Sequence, residues 1–275
     1  MSASTTPTSP SFSSYGGTAP ENYERYFVPA IGRPLAEDLV ARAGIAAGER
    51  VADVACGTGI VARLAAEQVA PDGTVSAVDM NPGMLAVAQQ AVPADAPIAW
   101  HEADAAALPL DDASHDVVLC QLGLQFFPDK TAALRDAHRV LRTGGRVLLN
   151  VPGPEPELFS TLARALARHV SEQAAGFVHV VFSLHEPNEL RRLLSDAGFS
   201  SPEATSSDIT LRLPEPTAFL WQYIHATPLV SAIAALDDAQ RAALEHDVVS
   251  EWQRHTTSAG SMDLDLPLTT ALGWR

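Results

Sequence analysis

The sequence predicts an α/β fold, a mostly parallel sheet with helices on both faces. Three stretches predict it. Val51 to Ala55 is a near-continuous run of small apolar residues, as in a strand covered on both sides, and a glycine turn and a helix follow it. Thr74 to Val78 repeats the pattern behind the Pro71-Asp72-Gly73 turn, and Asp79 closes it. Arg146 to Val151 is a further apolar run, entered through Gly144-Gly145.

In chain order, Ser, Thr and Pro dominate the first residues, so 1–18 is expected to be a disordered tail. Residues 19–275 are expected to form one domain. Helices are predicted over Glu21 to Phe27 and Pro34 to Ala43, the first carrying an aromatic cluster of Tyr23, Tyr26 and Phe27. After the first strand, Gly57 and Gly59 permit a sharp turn and close approach to main-chain amides. The helix that follows aims its free N–H groups and positive dipole end at whatever the turn holds. Asp79 lies the usual ~20 residues beyond the glycines, where a carboxylate accepts from ribose hydroxyls. Asn81-Pro82 starts the next helix. A short third strand, Ile98 to Trp100, leads into His101-Glu102-Ala103-Asp104-Ala105, which sets an acid and a free amide where an adenine edge could be read. The segment 141–149 is expected to be a helix end, a Gly-Gly C-cap and the fifth strand.

Beyond Pro152-Gly153-Pro154, Leu158, Leu162, Leu166 and Val170 recur at fourfold spacing, an amphipathic helix. Glu186 to Ala197 is a second helix, closed by Gly198. Ser200 to Leu213 and Met262 to Trp274 are the expected sixth and seventh strands, the last antiparallel. Segments 154–186 and 214–260 are expected to cap the site.

Two cofactors fit a glycine turn plus a strand-end acid: a nicotinamide dinucleotide and S-adenosylmethionine. Gly57-Thr58-Gly59-Ile60-Val61-Ala62 matches the dinucleotide fingerprint loosely. Asp53, inside the first strand, favours the second cofactor, because a carboxylate there suits an ammonium group and not a pyrophosphate. The sequence, in the order VADVACGTG, AVDMNPGML, EADAAALPL, DVVLCQLGLQFFPD, LRTGGRVLL, resembles the class I S-adenosylmethionine-dependent methyltransferases of the methyltransferase-11 type, which include quinone-biosynthesis C-methyltransferases. The resemblance is close from about Tyr23 to Val151. It implies a Rossmann-like seven-stranded sheet with a helical cap.

It also implies roles. Asp53 and the backbone of Ala55, Cys56, Gly57, Thr58 and Gly59 would hold the methionine part. Asp79 would take the ribose, Met80 and Met84 would border the adenine, and Asp104 and Ala105 would read its edge. Cys120, Gln121 and Leu122 would line the floor near the sulfonium. Tyr23 and Tyr26 would fold over the cofactor. Ala55 stands where the family has glycine and is expected to keep a negative φ. For a hydroxyl acceptor, His179, His185 and His225 are the candidate bases, since they fall in the cap; Gln125, Phe126 and Phe127 are placed to face the acceptor. A nicotinamide-dependent oxidoreductase and a non-catalytic cofactor-binding relative are the alternatives.

Composition bounds the partners. The chain is 275 residues, 47% hydrophobic and 19% charged, which suits a soluble globular protein with one sizeable core. Its net charge is −15 with one lysine, Lys130, which argues against nucleic acid. Arg135, Arg139, Arg142 and Arg146 read as a solvated face. Cys56 and Cys120 form neither a disulfide framework nor a metal-ligand pattern, which suits a reducing cytoplasm. Residues 1–14 show no secretory pattern, and no apolar run reaches the ~20 residues of a membrane span. The expected partner is a small, partly apolar acceptor; monomer and homodimer stay open.

Overall fold

The computed structural model describes residues 10–12 and 15–275. Seven strands pair in one sheet: β1 (Arg50–Val54), β2 (Thr74–Asp79), β3 (Ile98–Glu102), β4 (His115–Gln121), β5 (Leu141–Pro152), β6 (Ser200–Leu213) and β7 (Met262–Trp274). Their order is β3-β2-β1-β4-β5-β7-β6, parallel from β3 to β5, with β7 antiparallel to both neighbours. The order reverses between β1 and β4. A crevice therefore opens outside their carboxyl ends, the usual ligand position in such sheets.

Side-chain alternation along the strands sorts the core. Val51, Val117 and Leu119 face α2 (Arg33–Ala43) and α3 (Ile60–Val69), while Ala52, Val54, Val118 and Cys120 face α5 (Lys130–Val140) and α8 (Pro187–Asp196). Short caps set the helix starts. Asn81 caps α4 (Pro82–Gln90), Asp129 caps α5, and Ser171 caps α7 (Glu172–Val181).

A third cluster joins α6 (Glu157–His169), α7, α9 (Pro216–His225) and α11 (Asp238–Trp252) to the outer ends of β6 and β7; the short α10 (Leu229–Ala232) packs among them. The β5 pairing stops at Pro152 opposite Leu268, whereas β6 follows β7 out to Met262. The β6–β7 ribbon thus overhangs the sheet, and its apolar face carries the cap helices. Trp252, fully buried, donates from Nε1 to the Leu158 carbonyl at 2.9 Å and ties α11 to α6.

Several local expectations change. The two N-terminal helices are one continuous run. It comprises α1 (Ala19–Asn22), a π-helical stretch (Tyr23–Gly32) and α2. Pro29 lies in the π stretch; its ring clashes with the carbonyl four residues back, and the wider register relieves that clash. Of the segment expected to be a disordered tail, residues 1–9 and 13–14 lie outside the described residues. Within the rest, Phe12 is half-buried and Tyr15 is 5% exposed, its hydroxyl donating to the Ala19 carbonyl at 2.6 Å.

Gly144 is not a helix C-cap either. The helix ends on Leu141 and passes straight into β5; Gly144, at φ +79°, lies within the strand where its register against β4 shifts. Nor do the four arginines form one solvated face: Arg146 is largely buried and Arg139 half-buried, while Arg142 stays mostly exposed. Arg139 pairs with Asp112 and Asp136, Arg146 grips Glu49 with two nitrogens, and Arg142 pairs with Asp116. They pin loops to the sheet's lower edge. Among the described residues no helix is long and apolar enough to cross a membrane.

Candidate active site

The turn after β1 and the end of β2 hold each other. The Cys56 amide donates to the Val78 carbonyl at 3.0 Å, and the Gly57 amide donates to Asp79 Oδ2 at 2.8 Å. The Asn81 amide reaches Asp79 Oδ1 at 2.9 Å. Each carboxylate oxygen keeps a lone pair for another donor. Burial pushes the Asp79 carboxyl upward, against the lowering effect of the Asn81, Gly57 and Met80 amides.

The turn is tight enough to require left-handed backbone at Ala55 (φ +59°), Gly57 (+55°) and Gly59 (+82°). Ala55 therefore does not keep the negative φ expected of it. Its strain is shared across the crevice: Leu122, at the end of β4, has φ +52°. Gly123 lets these two ends meet, since a Cβ there would lie 2.8 Å from that of Ala55. Gly59 is required by packing from behind, where a Cβ would lie 2.6 Å from the Trp100 ring.

The crevice is a cavity of about 600 Å³. Its inner wall comes from the strand ends: Ala55, Gly57, Asp79, Met80, Asn81, Met84, Asp104, Ala105, Gln121 and Leu122. Phe127 and Pro128 close the floor beyond the turn that follows β4, with Gln125 and Phe126 alongside. Its outer wall comes from Phe12, from Tyr23 and Phe27 of the π stretch, from Phe177, Val180 and Val181 of α7, and from Tyr223 of α9. Tyr23 and Phe27 stack at 4.5 Å; Phe12 meets Phe126 edge-on at 5.2 Å. Among the described lining residues there is no Lys, Arg or His.

Not every expected residue is on this wall. Tyr26 lies off it under the Arg25 guanidinium, and Phe27 takes the place expected of it. Cys56, Thr58 and Gly59 are packed behind the turn. Strand alternation sends Cys120 to the α5 and α8 side, where burial pushes its thiol up to about 12. Asp53 is 1% exposed and faces the α3 side of the sheet, not the cavity. Neither of its oxygens has a hydrogen-bond partner. Burial foremost pushes its carboxyl up to about 7; the nearby Ala62 amide opposes this and the Asp79 charge adds to it.

The three cap histidines are elsewhere. His179 is exposed and bonded to Glu155 at 2.7 Å. His185 is held between the Phe182 carbonyl and Glu186. His225 ends α9 beside Trp221. None lines the cavity. The sequence reading missed Phe12, Phe177, Val180, Val181 and Tyr223; the last four sit on apolar helix faces that serve core and cavity alike, and Phe12 sits in a Ser/Thr/Pro-rich segment with no periodic signal.

Residues 52–149 match the methyltransferase domain family. The chain is 36% identical over 163 residues to a demethylmenaquinone methyltransferase of Deinococcus radiodurans, covering 54% of this chain and 67% of that protein. It is 33% identical over 167 residues to the demethylmenaquinone methyltransferase of Thermus thermophilus, covering 56% and 76%. Among solved structures it resembles a Haemonchus contortus phosphoethanolamine N-methyltransferase in complex with S-adenosyl-L-methionine. The TM-score is 0.61 at 20% identity, over 95% of this chain and 57% of that one. The [4+2]-cyclase SpnF has the same fold, with a TM-score of 0.55 at 17% identity over 88% of this chain and 80% of that one. Fold alone therefore does not name the reaction.

Proposed function

This chain belongs to the class I S-adenosylmethionine-dependent methyltransferases of the quinone-biosynthesis-like kind, and on that premise we propose which residues bind the cofactor and what kind of molecule accepts the methyl group. S-adenosylmethionine supplies a methyl group on a sulfonium that carries its own leaving group. The protein's tasks are then alignment and exclusion of water.

The residues present suit that cofactor. Asp79, fixed by two amides with lone pairs to spare, takes the ribose hydroxyls. Met80 and Met84 border the adenine, and Asp104 and Ala105 meet its edge. Ala55 and Gly57 bring the backbone of the turn to the cavity, and the first turn of α3 behind it has no side-chain cap, so its positive end favours the carboxylate end of the ligand. Asp53, with both oxygens unpartnered, acts from behind the turn as a buried negative charge. A cationic ligand on the other side of the turn pulls its carboxyl back toward ionisation.

The acceptor half is aromatic and carries no cation. The acceptor is a small, partly apolar, uncharged ring, a reading supported by the quinone-type names of the relatives. Segments 154–186 and 214–260 are its cap. Tyr23 and Tyr223 line the cavity, and burial keeps their hydroxyls protonated, which suits them to donate a hydrogen bond to the acceptor rather than to take its proton. The acceptor therefore brings its own acidity, as a hydroquinone or phenol does. Two buried free cysteines suit a cytoplasmic setting.

One observation carries the reading: Asp79 and an aromatic wall share one cavity. Calorimetry tests it. S-adenosylhomocysteine should bind, and Asp79→Ala should weaken it about 10- to 100-fold, the scale of hydrogen bonds to a charged group. Binding of NAD with no response to S-adenosylhomocysteine overturns the assignment.

A further inference from the structure

Asn81 spends every polar atom it has. Its Oδ1 caps α4, accepting from the amides of Gly83 at 2.8 Å and Met84 at 3.2 Å. Its own amide donates to Asp79. Its Nδ2 donates to two carbonyls of the N-terminal segment, Phe12 at 2.8 Å and Tyr15 at 2.7 Å. The residue is 4% exposed, so these bonds form away from competing water.

The cap accounts for Oδ1 alone. The Nδ2 bonds reach about 70 residues back along the chain, and their effect is to hold Phe12 in place. Phe12 lines the outer wall of the cavity, with ring contacts to Tyr23, Phe126 and Phe177 at 6.4, 5.2 and 5.9 Å. The chain of contacts thus runs from the proposed ribose carboxylate, through one side chain, to the aromatic wall.

We propose that Asn81 is a positioning residue that fastens Phe12 to the cavity wall and thereby couples cofactor binding to the shape of the acceptor half. The inference rests on the reading of Asp79 given above. A ligand that orders Asp79 also orders the Asn81 backbone, and with it the carbonyl pair that Nδ2 holds. By linkage, a fastened Phe12 in turn tightens cofactor binding, and because Phe12 stands on the cavity's outer wall the gain falls on the release step.

The test uses S-adenosylhomocysteine release from the full-length protein, followed by stopped-flow displacement. Asn81→Ser keeps an N-cap acceptor but cannot span to both carbonyls. Phe12→Ala leaves the Asp79 and Asn81 bonds intact. Each should speed release about 10-fold, the scale of one or two lost hydrogen bonds or a lost ring contact. The double variant should release no faster than Asn81→Ser alone, because both changes undo one fastening. The melting temperatures of the unliganded variants should stay within a few degrees of the parent, which separates fastening from general destabilisation.

Multiplicative effects in the double variant, or unchanged release in Phe12→Ala, overturn the proposal while leaving the methyltransferase assignment intact. Failure of the parent protein to bind S-adenosylhomocysteine at all overturns both, and calorimetry on the parent distinguishes the two cases.

Discussion

Asp53 sets a cost that the unliganded protein carries at every neutral pH. A carboxyl whose folded value is about 7, against an ordinary value of 3.8, binds its proton more tightly in the folded chain than in the unfolded one. Its effect on stability is therefore most favourable below about pH 4 and is lost as pH rises toward 7. Asp53→Asn removes that loss with little change in shape. At pH 8 the variant should melt about 3–8 °C above the parent, and the two should converge near pH 4. A parent–variant difference that is flat with pH would show that Asp53 is not held uncharged. The same variant should bind S-adenosylhomocysteine about 10-fold more weakly, because the ligand loses a buried counter-charge. Stability and affinity moving in opposite directions is the signature of a residue kept for a ligand. The left-handed Ala55 belongs beside it. A residue with a Cβ at φ +59° costs about 1–2 kcal/mol, and that strain sits where the backbone must open toward the cavity.

At the scale of elements, the β1–α3 junction works through what packs behind it as much as through what faces the ligand. Gly59 and Gly144 share a left-handed φ, +82° and +79°. They differ in surroundings: a Cβ at Gly59 meets Trp100 at 2.6 Å and Ala88 at 3.3 Å, whereas a Cβ at Gly144 meets nothing. Gly144→Ala should cost about 1 kcal/mol in urea denaturation, the conformational part alone. Gly59→Ala should cost about 2–4 kcal/mol and also weaken S-adenosylhomocysteine, because α3 must back away from β3. Equal costs at the two sites would remove Trp100 from the argument.

The same pair shows what could be read from the sequence and what could not. The Val51–Ala55 and Thr74–Val78 runs were legible because strands buried on both faces are apolar at every position. The bounds of β7 were legible from its apolar pattern, Met262 to Trp274. Gly144 was not, because a C-cap and a strand irregularity ask the same left-handed backbone of glycine. Phe12 and Tyr15 were hidden in a Ser/Thr/Pro-rich segment whose average says nothing of two rings held by one distant asparagine. The histidines misled because a cap built on apolar contacts has no residue pattern of its own. Ionisable side chains stood out there only by type.

For the whole molecule, the cavity lies between the sheet edge and the cap. The cap is bound to the overhanging β6–β7 ribbon through Leu211, Leu213, Leu264 and Leu266, and Trp252 ties its helices together. Phe177 and Tyr223 reach the cavity from that cap, while Asp79 and Gln121 reach it from the sheet. One apolar cluster joins the cap helices to the outer ends of β6 and β7 and to Ile31 and Leu35 beside the sheet, so the cap is expected to unfold together with the strands that carry it. A ligand in the cavity then stabilises both parts at once. At 100 times its dissociation constant S-adenosylhomocysteine adds about 2.7 kcal/mol to the folded state. Over a chain of this size that should raise the melting temperature by about 5–10 °C, as a single transition seen alike by tryptophan fluorescence and by far-ultraviolet circular dichroism. The fluorescence arm reports both regions, since Trp100 lies by β1 and α3 and Trp221 and Trp252 lie in the cap. If fluorescence shifts before circular dichroism, or if the ligand splits one transition into two, the cap is a separately stable unit. Acceptor selection would then rest on its docking rather than on a wall built in with the sheet.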